Sequence, residues 1–61
     1  MDSKLDKYIN SVKNPIKKIY AHQFSRWVLS GEIGQEPKVR ELGSMAAQAV
    51  RLNIYEIVRG K

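Results

Sequence analysis

Cysteine is absent from the 61-residue chain, which rules out disulfides and removes the thiolates on which most structural zinc sites are built. The single histidine, His22, has no acidic residue three or four positions away, so a metal site within one chain is not expected either. No run approaches the roughly 20 apolar residues of a membrane span. Residues 1–10 carry Asp2, Lys4, Asp6 and Lys7 without a continuous apolar stretch, so no signal peptide is expected. These absences together read as a soluble, cytoplasmic protein.

Acidic residues are also scarce. Six Asp and Glu stand against eleven Lys and Arg, a net charge of +5, which favours polyanionic partners without requiring one. No nucleophile lies beside a base at a useful spacing, and so short a chain leaves little room for a substrate pocket. The sequence therefore predicts neither an enzyme nor a holder of cofactors or small-molecule substrates. It provides one small domain, residues 1–61, and a chain of that size buries only about 60% of the surface its unfolded form exposes. With disulfides and metal excluded, association is the remaining reinforcement.

What is present is helical periodicity, punctuated by prolines and glycines. Ser3-Lys4-Leu5-Asp6 has the form of a capping box with Asp in place of Glu. Leu5, Tyr8, Ile9 and Val12 then form one apolar stripe. Asn14-Pro15 ends that helix near Lys13 and starts the next, because proline disfavours αR before it and suits the first helical turn. In the second helix Ile16, Ile19, Tyr20, Phe24, Trp27 and Val28 share a broad arc predicted to be core. Lys18, His22, Ser25 and Arg26 lie opposite, with Leu29 among them and Lys17 at the border. Ser30-Gly31 closes the helix.

Pro37 fits the first turn of a third helix running to residue 59, after a short glycine-containing reversal. Its buried face is predicted to centre on Val39, Leu42, Ala46, Ala49, Val50 and Ile57. Met45 and Leu52 flank it on one side, and Ala47, Ile54 and Val58 on the other. Arg40, Glu41, Ser44, Gln48, Arg51 and Arg59 leave only a narrow polar strip. The expected fold is all-α, with three helices near 3–13, 15–30 and 37–59 joined by short turns. The third is the longest and largely buried, with an apolar arc wider than one-sided packing needs, which points to a dimer or a partner interface. Leu42, Gly43, Ala46, Ala49, Val50, Asn53 and Ile57 are the candidate contacts. Gly43 would allow a second helix to come close, and Asn53 would pair with its own copy across a two-fold axis.

The other candidate surface is basic. Between Lys13 and Arg26 no acidic residue occurs, and Lys13, Lys17, Lys18, His22 and Arg26 are the residues expected to meet nucleic acid, through salt-sensitive contacts to phosphate. Tyr20, Phe24 and Trp27 fall on the apolar arc and read as core, not as a stacking platform for bases. Tyr55, with Arg51 and Arg59, reads as a weaker polar contact surface. A helix-turn-helix is disfavoured because the 31–36 loop is too long and the third helix too apolar for a groove. Gly31-Glu32-Ile33-Gly34 has one residue too many for a glycine–hydrophobic–glycine phosphate hairpin, and Glu32 and Glu36 would repel the anion. A membrane-surface role fits poorly, since the third helix carries few basic residues on its polar side. The expected function is a basic helical module of a nucleic-acid-associated assembly that self-associates or docks on a larger protein. The alternative is a protein-only adaptor or inhibitor.

Overall fold

A computed structural model describes residues 3–60; Met1, Asp2 and Lys61 lie outside the described residues. Its three helices are α1 (Lys4–Ser11), α2 (Pro15–Leu29) and α3 (Ser44–Arg59), and no strand occurs among the described residues. The all-α, three-helix expectation holds.

The caps explain the first two helices. Ser3 accepts from the backbone N–H of Asp6 at 3.1 Å. Asn14 does the same for Ile16 and Lys17 at 2.9 and 3.2 Å, so the residue before the proline starts α2. At the far end of α2, Gly31 adopts φ +94°. Its N–H bonds to the Val28 carbonyl and that of Glu32 to the Trp27 carbonyl, the paired arrangement of a Schellman cap. α1 ends at Ser11, two residues before the expected Lys13, where the Ser11 hydroxyl donates to the Tyr8 carbonyl at 2.7 Å.

The third helix departs most from expectation. It begins at Ser44, not Pro37, and residues 30–43 form an extended strap with one turn near Arg40. Contacts along the helices give the reason. Arg51 meets Tyr20, Tyr55 meets Phe24, and Ile57 and Val58 lie beside Leu29. Residue numbers rise together, so α2 and α3 run parallel. α1 runs antiparallel to both, with Asn53 near Tyr8 and Val58 near Leu5. The chain leaving α2 must therefore return along its full length, about 22 Å for 15 residues. The expected short reversal, which would have made α2 and α3 antiparallel, is replaced by the strap.

The strap descends α3 in steps. Glu32 accepts from the Tyr55 hydroxyl at 2.9 Å, Glu36 lies 4.0 Å from Arg51, and Arg40 shares a depression with Ala47 and Ser44. The Trp27 indole N–H donates to the Gly34 carbonyl at 3.3 Å, while Val39 and Leu42 pack against the core.

That core consists of Leu5, Ile9, Tyr20, Ala21, Phe24, Val50 and Ile54. Phe24 is its centre, with ring centroids 5.8 Å from Tyr20, 5.5 Å from Trp27 and 5.5 Å from Tyr55, the last edge-on. The core face of α2 is rotated from the expected one. Ala21 and Ser25 turn inward, the Ser25 hydroxyl donating to the His22 carbonyl at 2.9 Å, while Ile19 turns outward and is 53% exposed. Small side chains at 21 and 25 let a neighbouring helix approach this flank, and that packing outweighs the burial of one isoleucine. In α3 the buried pair is Val50 and Ile54, with Ala46, Ala47, Arg51, Tyr55 and Ile57 half-buried. Ala49 is exposed, not central, and Met45 and Leu52 are 85% and 56% exposed. Within the chain α3 is thus not largely buried.

Candidate nucleic-acid interface

Lys18, His22 and Arg26 are exposed at i, i+4 and i+8 on α2, one helical turn apart, and so stand in a row on its outer side. Ser25, expected beside them, is in the core. Lys17 is half-buried and turns with Lys13 toward the junction of α1 and α2. There the two lysines line a depression of about 380 Å³ with Tyr8, Asn14 and Asn53. The five candidate basic residues therefore fall into two groups, a row of three on α2 and a pair at the junction.

No carboxylate forms an ion pair with the row among the described residues. α2 contains no acidic residue, and among the described residues the ion pair present is Arg51–Glu36, at the strap. Lys18 and Arg26, with no ion-pair partner, are open to an anion, and on a chain of net charge +5 with histidine counted neutral their fields add. The basic residues of the strap differ. Lys38 and Arg40, with Arg51 of α3, line a depression of about 500 Å³ together with Glu36, whose carboxylate offsets part of their charge.

Beside the row lies a feature that a search for charge overlooks. Ile9 and Asn10 of α1 meet Lys18, Ile19, His22 and Gln23 of α2 around a shallow depression of about 390 Å³. Its one trace in the sequence is an isoleucine placed directly after Lys18.

Arg51 and Tyr55 are half-buried and bonded within the chain, while Arg59 is exposed. Arg51 donates to the Tyr20 hydroxyl at 3.1 Å. That hydrogen bond raises the guanidinium's already high pKa against some desolvation, and the negative neighbour Glu36 adds to the effect. Tyr55 packs edge-on against Phe24, and Arg59 lies 4.7 Å over its ring. Its bond to Glu32 pushes the phenol above the ordinary tyrosine range, with desolvation and the charges of Glu32 and Glu36 acting in the same direction. Both residues hold the strap to the helices.

The predicted α3 contacts also divide. Val50 is wholly inside the chain's own core, and Leu42 and Ile57 pack against it. Gly43 is the N-cap of α3, and among the described residues other than its chain neighbours nothing lies within 4 Å of an added Cβ, so none of the three helices packs on it. Asn53 is exposed, its amide donating to the Tyr8 hydroxyl at 3.3 Å. Ala46 is half-buried. What α3 offers a partner is Met45, Ala49 and Leu52, at i, i+4 and i+7. No family model, curated protein or solved structure matches the chain.

Proposed function

We propose that this protein is a non-enzymatic nucleic-acid-binding module whose α2 face contacts the phosphate backbone. The observation that carries the reading is the row Lys18, His22 and Arg26, exposed on a helix without acidic residues and without ion-pair partners among the described residues. Lys13 and Lys17 extend the positive surface to the α1–α2 junction. Fluorescence anisotropy against labelled DNA and RNA across a salt series tests it. Each phosphate neutralised contributes about −0.7 to −0.9 to the slope of log affinity against log salt, so three to five contacts predict a slope of about −2 to −4.5. The Lys18→Glu, Arg26→Glu double variant should lose binding at every salt concentration. Unchanged affinity in that variant would remove α2 from the interface.

A second reading rests on the exposed α3 stripe. Met45, Ala49 and Leu52 would suit self-association or a larger protein partner, as in an adaptor or inhibitor that binds no nucleic acid. Sedimentation over a concentration range tests the self-association arm: a dimer that Leu52→Asp dissociates would support it, and a monomer throughout would leave only an unlike partner for that surface.

A further inference from the structure

We infer that the depression between α1 and α2 accepts an unpaired nucleobase, which makes single-stranded nucleic acid the preferred ligand over duplex. The inference rests on the proposed function and narrows it. Contacts to a duplex backbone need cations and little else, because stacked and paired bases present no apolar face to a convex helix. An unpaired base differs. It has a flat face that gains from apolar contact and an edge that must be hydrogen-bonded.

The depression offers both. Ile9 and Ile19 supply apolar surface; Ile9 is almost buried, while Ile19 is 53% exposed beside Lys18 and His22 of the outer row. An isoleucine so placed leaves apolar area open to water at a cost that a ligand covering it would recover. Asn10 and Gln23 stand at the rim, and each amide carries both donors and an acceptor, the combination that base edges require. Lys18 and His22 also line the depression and belong to the phosphate-facing row. Base and backbone sites are thus adjacent and share residues. Asp6, one turn before Asn10 on α1, does not line it. Cations beside an apolar surface complement a strand that carries both phosphates and exposed bases.

Three oligonucleotides separate the possibilities: a labelled single strand of about 12 nucleotides, within the span one small domain covers, its duplex, and the same single strand carrying abasic sites. The intact single strand should bind about fivefold or more tightly than either of the others, the gain expected from covering roughly half an isoleucine. Ile19→Ala should erase most of that preference while leaving duplex affinity unchanged; Ile19 lies outside the core, and circular dichroism would verify the fold. The Lys18→Glu, Arg26→Glu variant should weaken all three complexes. If abasic and intact strands bind alike, or the duplex binds as tightly, the base site is overturned while the backbone reading stands. If none of the three binds at low salt, both fall.

Discussion

Tyr55 joins three parts of the molecule, the Phe24 ring, Glu32 of the strap and the Arg59 guanidinium. Its hydroxyl is the donor to Glu32, so the bond exists only while the phenol is protonated. Because the folded-state pKa is raised above the ordinary value of 10.0, the contribution is full below about pH 10 and is lost as the pH climbs through the raised value. The difference in thermal midpoint between wild type and Tyr55→Phe should stay constant from neutral pH to about pH 9 and shrink above pH 10. A difference that grows with pH would show that Glu32 does not accept from Tyr55. Gly43 gives a residue-scale prediction of the opposite sign. With φ −63°, ψ 154° and open space around the Cβ position, it has the geometry of an N-cap without the side chain of one. Gly43→Ser should stabilise by about 0.5–1 kcal/mol, through the added cap and a less flexible unfolded chain, read by chemical denaturation. A loss of stability would indicate that something does pack on this position.

At the scale of elements, the caps were the most legible part of the sequence. Ser3, Asn14-Pro15 and Ser30-Gly31 act locally, and local chemistry survives any tertiary arrangement. The start of α3 was not legible, because Val39 and Leu42, spaced i and i+3, fit a helix and equally fit a strap that makes one turn. What decides between them is the parallel packing of α2 and α3, a long-range fact that no window of sequence contains. The candidate site was half legible for the same reason. Charge identifies Lys18, His22 and Arg26, but the flank of α2 that faces inward depends on where α1 lies, so periodicity alone places Ile19 in the core and gives no sign of Asn10 and Gln23. Gly31 carries the element-scale prediction. An added methyl there would meet only Ile33 side-chain atoms, at 3.9 Å and beyond, so the cost of Gly31→Ala is the left-handed backbone alone. A loss of about 1–2 kcal/mol in urea denaturation is expected, with α2 shortened at its C-terminal turn. An unchanged midpoint would mean that the strap leaves α2 by another path.

For the whole molecule, the return strap has a consequence in time. Contacts between α1 and α2 join residues close in sequence, separated only by the turn at Asn14-Pro15, whereas Arg51 and Tyr20 are 31 positions apart. Closing that larger loop costs chain entropy before the α2–α3 contacts compensate for it. The helical hairpin of α1 and α2 should therefore be structured in the folding transition state, with α3 docking late. In stopped-flow experiments Ile9→Val should mainly slow folding, and Ile54→Val should mainly accelerate unfolding. The reverse pattern would mean that the strap is laid down first. If α3 docks last it is also the element most readily released, and the surface formed by α1 and α2, including the depression and its basic row, would outlast it in a partly unfolded chain.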